Sequence, residues 1–260
     1  MNNDDVLATF DTQMRRNARP DSPGARVDRT ETTTRQTGGE SGWNGVLWSA
    51  LDAESADAAI AEQVEHFAGL GLEFEWKLYS HDLPHDLPER LLAAGFTAEP
   101  QEAVMVAEAG ELSTAVAPPE GITLREVTDE AGVDLMAIVH DQAFDTDGSR
   151  IRRQLLEQLT EAPDTVVAVV AMAGDVPVSS ARSEFIPGTD FAGLWGGGTV
   201  EAWRGRGIYR ALIAYRARIA LERGYRYLQV DASDQSAPIL ARLGFAQLST
   251  TTPYVYQPKS

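Results

Sequence analysis

The 260-residue sequence contains no cysteine. That excludes disulfides, thiolate nucleophiles and cysteine-ligated zinc or iron–sulfur centres. It has no run of roughly 18 or more apolar residues, so no transmembrane helix and no membrane partner are expected. The first ten residues, MNNDDVLATF, lack both a basic n-region and an apolar h-region, so they do not read as a secretory signal. These features together point to a cytoplasmic location. Positive charge is scarce too: 22 Lys and Arg stand against 39 Asp and Glu, a net charge of −17, and the only lysines are Lys77 and Lys259. Such a field repels polyanions, so no nucleic-acid partner is expected, whereas cationic small molecules such as amines are attracted. Histidine is sparse at four residues, two of them in the duplicated tetrapeptide His81-Asp82-Leu83-Pro84-His85-Asp86-Leu87-Pro88. Its prolines break the helix that would align a ligand set, so this stretch reads as a loop leading into a helix, and no metal is expected.

What is present is a repeated order of elements. Residues 107–121, AEAGELSTAVAPPEG, are poor in large apolar side chains and carry Pro118-Pro119 near their end, the composition of an extended linker. Beyond it, Trp195–Val200 reads as a strand, Ile208–Arg223 as a helix, Tyr227–Asp231 as a strand and Ser236–Leu243 as a helix closed by Gly244-Phe245. Before it, Trp43–Ala50, Ser55–Leu70, Phe74–Tyr79 and Leu87–Ala94 repeat that order and end in Gly95-Phe96. The match implies an internal duplication, with domains at 1–110 and 121–260 joined by 111–120. The second half also has a front portion. It comprises a strand at Ile122–Val127, helices at Asp129–Phe144 and Ser149–Leu159, and antiparallel strands at Thr165–Met172 and Val176–Phe185. The chain then turns through Pro187–Asp190 into the third antiparallel strand, and a last strand is expected around Pro253–Tyr256. The first half, with a short helix at Asp5–Arg16, is expected to lack that front. The fold class is α/β, with a mixed, mostly antiparallel sheet flanked by helices and a partial N-terminal copy.

The segment that carries chemistry is Arg204-Gly205-Arg206-Gly207-Ile208-Tyr209-Arg210, between a strand and a long helix. Its glycines leave backbone N–H groups uncovered where a helix begins, and those amides have no intrahelical partner. With the positive end of the helix dipole they form an anion site. Three arginines make this an island of positive charge in an acidic chain. A dinucleotide fingerprint would need a third glycine at Arg210 and more chain than the 50 residues that follow, although Asp231 ends the next strand where a ribose-binding acid would lie. A Walker A loop would need Gly-Lys-Ser/Thr, which is missing. A tight strand-to-helix turn without a ligand remains the plain structural alternative.

This segment resembles the R/Q-x-x-G-x-G/A pyrophosphate loop of the GNAT acetyltransferases, and the resemblance extends over about residues 121–258, including Leu243-Gly244-Phe245. It implies an acetyl-CoA-dependent N-acyltransferase acting by direct attack of an amine in a ternary complex. The acceptor would be an amine, on a small molecule or a protein; monomer and homodimer both stand open. By the resemblance, the amides of Arg206 to Arg210 hold the pyrophosphate, and Arg204, Gly205, Arg206, Gly207, Ile208, Tyr209 and Arg210 are all cofactor-binding candidates. Thr199 and Val200 would pair with the pantetheine, and Ser233 and Ser236 are further cofactor contacts. Tyr209 stands where the pattern has Gly or Ala, so its side chain is expected to point away from the phosphates. Leu240 stands where many members have a proton-donating tyrosine, and Ser233 where an asparagine is usual. Tyr254 or Tyr256 could supply the proton instead, and the alternative for both is half-buried strand aromatics. Glu184 is the first candidate base, Asp190 the second; Glu201 reads as a cap of the loop. Gly196-Gly197-Gly198 after Trp195 admits either close approach of a ligand or a β-bulge. The corresponding stretch of the first half, Leu51–Ser55, lacks glycine and arginine and carries two acids, so one cofactor site per chain is expected. A non-catalytic acyl-CoA binder with the same loop is the rival reading.

Overall fold

A computed structural model describes residues 1–40 and 42–258. The chain opens with α1 (Asn3–Phe10), which runs into a π-helical turn at Asp11–Arg16. There follow β1 (Arg26–Arg29), β2 (Thr33–Thr37), β3 (Gly45–Ser49), α2 (Ala56–Leu70), β4 (Phe74–Tyr79), α3 (Leu87–Ala93), β5 (Thr97–Ala98) and β6 (Glu102–Glu108). The remainder is β7 (Ile122–Val127), α4 (Glu130–Phe144), α5 (Ser149–Glu161), β8 (Val166–Ala173), β9 (Val176–Phe185), β10 (Phe191–Thr199), α6 (Ile208–Glu222), β11 (Tyr227–Ala232), α7 (Ala237–Arg242) and β12 (Ala246–Tyr256).

Two compact units share these elements. The first comprises Met1–Met105, Asp231–Ala241 and the chain from Ala246 onward; the second comprises Val106–Val230 with Arg242–Phe245. In the first, strands follow the order β1-β2-β3-β4-β12. The β3–β4 pair is parallel and the others antiparallel, with Thr251 opposite Tyr79 through Tyr256 opposite Phe74. The C-terminal strand thus completes the sheet of the N-terminal unit. Aromatic side chains fill its core: Phe67 stacks on Phe74, with Trp76, Phe96 and Tyr254 in the same cluster.

In the second unit the order is β11-β10-β9-β8-β7, antiparallel except for β10 with β11. β8, VVAVVAMA, is buried along almost all its length because both faces are covered. One face packs Val166, Ala168 and Val170 against Val133, Met136 and Leu155 of α4 and α5. The other packs Val169 and Ala171 against Ile208 and Leu212 of α6. Asp129 caps α4 by accepting the Gly132 N–H at 2.8 Å, as its position in the sequence predicts.

The structure corrects the sequence reading in four places. The first half does have part of a front, since the β1–β2 hairpin precedes β3. The strand before the glycine loop starts at Phe191 and not Trp195, and the last strand starts at Ala246. The supposed linker opens with the end of β6 and a 3-10 turn at Ala109–Glu111; no helix or strand follows until β7. Among the described residues no helix is long and apolar enough to cross a membrane.

Candidate functional site

The second unit builds its site where β10 ends and α6 begins. β10 pairs with β11 from Phe191–Tyr227 to Gly193–Gln229, and that parallel ladder then stops. On its other side β10 stays bound to β9 as far as Thr199 opposite Ser179. The edge of β10 that faced β11 is therefore open from Leu194 on. Between Trp195, opposite Arg182, and Gly198, opposite Ser180, two residues of β10 face one of β9. This is a β-bulge, made possible by Gly196 at φ +59°. Of the two readings of the triple glycine, the bulge is what the backbone forms, and it lies along the open edge. Ser179 holds the strand end from beneath: its hydroxyl donates to the Gly198 carbonyl at 2.7 Å and pairs with the Thr199 hydroxyl at 2.8 Å. The Val200 N–H donates to the Val178 carbonyl, so the backbone of Thr199 and Val200 continues the sheet.

A 3-10 turn at Glu201–Trp203 carries the chain to the glycine loop. Gly205 (φ +72°) and Gly207 (φ +86°) take a left-handed backbone that a side chain would strain, and Gly207 is the N-cap of α6. The result is a run of exposed donors. Among the described residues, none of the N–H groups from Gly205 to Arg210 donates to a protein group; the next one, Ala211, bonds the Gly207 carbonyl. Alternating left-handed residues and a helix start form a concave nest suited to an anion of phosphate size.

The three arginines divide the work. Arg204 donates from Nε to the Thr199 carbonyl at 3.0 Å and from Nη2 to the Ala143 carbonyl, at the C-terminal end of α4, at 3.2 Å. It is a staple of the loop. Arg206 lies over the Trp203 ring at 4.6 Å. Arg210 is exposed in the first turn of α6. Glu201 accepts the Arg204 N–H through its carbonyl, a turn bond and not a side-chain cap.

Glu184 lies on β9 opposite Gly193, bonded to Arg182 Nε at 3.0 Å and about one-fifth exposed. A Cβ at Gly193 would lie 2.6 Å from the Trp195 indole nitrogen, so that indole folds over Gly193 on the side where Glu184 stands. Asp190 is bound into the turn, its carbonyl accepting the Arg226 and Tyr227 N–H groups. Phe144, at the end of α4, stands over Gly198 with His140 beside it at 4.9 Å between ring centres. Burial pushes the His140 pKa down, which keeps its ring neutral.

The other sequence candidates fall in the first unit. Tyr254 is buried in its core, opposite Trp76, and Tyr256 packs between Phe74 and Phe96. Both stand on one strand face, as alternation predicts, and that face is the core. Burial pushes the Tyr254 phenol up. Ser233 and Ser236 face each other at 3.3 Å at the start of α7, where the Ser233 carbonyl accepts the Ser236 and Ala237 N–H groups. Leu240 is fully buried. In the duplicated tetrapeptide, His81 bonds Asp11 and Ser249, while Asp82 accepts two bonds from Arg15 and one from the Tyr79 N–H.

The first unit also shows why its own loop differs. Before α2 the Asp52 carboxylate accepts the N–H groups of Glu54 at 3.1 Å and Ser55 at 2.9 Å, and the Ser55 hydroxyl at 2.7 Å. That hydroxyl bond is the main reason the Asp52 pKa is lowered. The amides that a phosphate would need are already held by a carboxylate of the chain.

Sequence reasoning missed Arg216. It is 1% exposed on α6, seven residues after Tyr209, and donates to the Leu212 and Arg182 carbonyls at 3.2 Å each. The signal was available: a charged residue on the apolar stripe formed by Ile208, Leu212 and Ala220.

Comparison with known proteins agrees with this geometry. Residues 133–245 match the acetyltransferase (GNAT) family. Among solved structures, the chain is similar to a GCN5-related N-acetyltransferase from Kribbella flavida (TM-score 0.69, 19% identity, 99% of this chain and 95% of that one). It is similar also to a tandem GNAT protein from the clavulanic acid biosynthesis pathway (TM-score 0.61, 11% identity, 100% and 97%). A functionally unknown conserved protein from Staphylococcus epidermidis matches as well (TM-score 0.68, 13% identity, 89% and 93%). At these identities the likeness is one of fold, and the N-terminal part resembles a second region of the same kind. No curated protein matches the sequence.

Proposed function

We propose, from the premise that residues 133–245 form a GNAT acetyltransferase domain, that the chain moves an acetyl group from acetyl-CoA to an amine. The observation that carries this reading is the run of unpaired amides from Gly205 to Arg210 at the start of α6. A pyrophosphate would satisfy donors that the fold leaves open, with Arg210 adding charge; Arg204 holds the loop in place. The open edge of β10 at Thr199 and Val200 offers the pantetheine amides a strand to pair with. Acetyl-CoA supplies the activated acyl group. One such site per chain follows from the Asp52 carboxylate, which fills the equivalent amides of the first unit. Residues 1–110 then serve as a companion copy, 111–120 as a connector and 121–260 as the part that carries the chemistry.

The amine must be neutral to attack. Glu184 is our candidate to take its proton, directly or through water, and its bond to Arg182 fixes its orientation. The acidic balance of the chain favours a cationic amine as acceptor. A second reading, an acyl-CoA binder without turnover, is favoured by one observation: Leu240 fills the expected tyrosine position with a buried apolar side chain.

Free-thiol release from acetyl-CoA against a panel of amines, run beside calorimetric CoA binding, separates these. Acetyl transfer predicts thiol release that depends on the amine. Micromolar CoA binding with no thiol release from any amine would leave the binder. No CoA binding at all would sink both.

A further inference from the structure

Arg216 is the one buried arginine of the second unit, and among the described residues its partners include no carboxylate. Nε and Nη1 go to backbone carbonyls, and the remaining polar neighbour is the Tyr209 phenol. Burying a guanidinium without a counter-anion is costly, and a leucine would serve the packing of α6 better. A guanidinium carries five N–H donors and no acceptor. Toward a guanidinium the Tyr209 oxygen can act only as an acceptor, which leaves its own hydrogen to be given elsewhere.

The surroundings say where. A Cβ on Gly197 would lie 3.3 Å from Cε2 of Tyr209 and 4.0 Å from Nη2 of Arg216. Phenol and guanidinium thus sit directly under the β10 bulge, and the large residue at 209 is matched by an absent side chain at 197. Gly197 is exposed on the open edge of β10, the path proposed above for the pantetheine. Burial pushes the phenol pKa up against the opposing pull of Arg216, so the hydroxyl is protonated at neutral pH. Burial also lowers Arg216, to about 10, and it remains a cation there.

We propose that the Tyr209 hydroxyl is the catalytic acid of acyl transfer and that Arg216 is the positioning residue that aims it. The proposal rests on the acetyltransferase reading above. In the step, the amine nitrogen forms a bond to the thioester carbon and the carbon–sulfur bond breaks. The Tyr209 proton goes to the departing sulfur as the electron pair arrives there. Arg216 faces the phenolate until the proton shed by the acylated nitrogen restores it, so the products are amide and free thiol with no net change in the protein.

Steady-state kinetics across pH test this, with CoA affinity measured in parallel. Tyr209→Phe should lower kcat by about 100-fold, flatten the alkaline limb of the kcat profile and leave the KM for acetyl-CoA within about threefold. Arg216→Met should move that limb to higher pH, with partial rescue by Arg216→Lys. Should a substitution compromise folding, fluorinated tyrosine at position 209 keeps the packing and lowers the phenol pKa; the limb should move to lower pH. An active wild type whose Tyr209→Phe variant keeps its kcat and its alkaline limb would overturn the acid role alone, as would a limb that fluorination leaves in place. A wild type that binds CoA and releases no thiol with any amine would overturn the transfer reading, and this one with it.

Discussion

At the residue scale, Arg204 and Arg210 have the same charge and opposite duties. The Arg204 guanidinium is occupied by two carbonyls, one from the strand end at Thr199 and one from the last turn of α4 at Ala143. Replacing it with glutamate sets a carboxylate against those oxygens and frees the loop, so both stability and cofactor affinity should fall. Arg210 projects from the first turn of α6 without such bonds, and Arg210→Glu should change affinity alone. We expect Arg210→Glu to raise the CoA Kd about tenfold or more with an unchanged melting temperature, and the difference from wild type to shrink as salt is added. Arg204→Glu should raise the Kd and also lower the melting temperature by roughly 2–4 °C. Calorimetric titration and thermal melts of the two variants check this. Equal melting temperatures in the two would contradict the staple role of Arg204.

At the scale of elements, the junction of β10 and α6 depends on backbone conformation more than on any side chain. Gly207 and Gly224 flank α6 with nearly the same left-handed angle, φ +86° and +80°, and a Cβ at either meets no atom closer than 3.8 Å. Alanine at either position should therefore cost about 1–2 kcal/mol of backbone strain. Only Gly207→Ala should also weaken CoA binding, because only that end presents the open amides. Matched denaturation curves with unequal CoA affinities are the expected outcome; equal affinities would remove the amides from the site. This junction was legible in the sequence because glycine spacing and helix periodicity both mark it, and the reading of Ile208–Arg223 differs from α6 by one residue. β9, Val176–Phe185, was legible from the turn residues that bound it, Gly174-Asp175 before and Pro187–Asp190 after. The β1–β2 hairpin was not. RVDR and TTRQT contain one aliphatic residue between them, so periodicity has nothing to register, and the pairing comes from the ladder to β3. The start of β10 was missed at Phe191–Leu194 because the turn before it and the glycines after it drew the boundary inward. In the site, the helix-start amides were readable, whereas Arg216 beneath the bulge required the fold, since its meaning depends on burial and on the glycine opposite it.

At the scale of the whole molecule, a net charge of −17 means that carboxylates repel one another throughout, and raising the pH strengthens that repulsion. One carboxylate of the first unit stands apart. Burial, followed by repulsion from Asp231, pushes Glu102 up to about 7, although Lys77 nearby opposes the shift. Lys77 is itself held charged by its ion pair with Asp231, so its charge is already engaged by another acid. The consequence for folding has a definite sign. Unfolded, Glu102 releases its proton near the ordinary carboxylate value, about 4.3; folded, it keeps that proton up to about pH 7. Its protonated form therefore stabilises the fold fully below the unfolded pKa, and that contribution is lost as pH rises through 7. Glu102 is only partly buried, so solvent screening reduces the effect to roughly 1–2 kcal/mol. The general repulsion has the same direction, and the glutamine variant separates the two. Glu102→Gln keeps the shape and the hydrogen-bonding groups of the protonated acid, while the charges elsewhere remain. The difference in unfolding free energy between variant and wild type should be near zero below pH 4, under the unfolded pKa. It should grow in favour of Glu102→Gln between pH 4 and 8, and level off above that. Urea denaturation at several pH values measures it. A difference that stays constant across that range would mean that Glu102 titrates as a surface carboxylate and that the decline with pH belongs to the net charge alone.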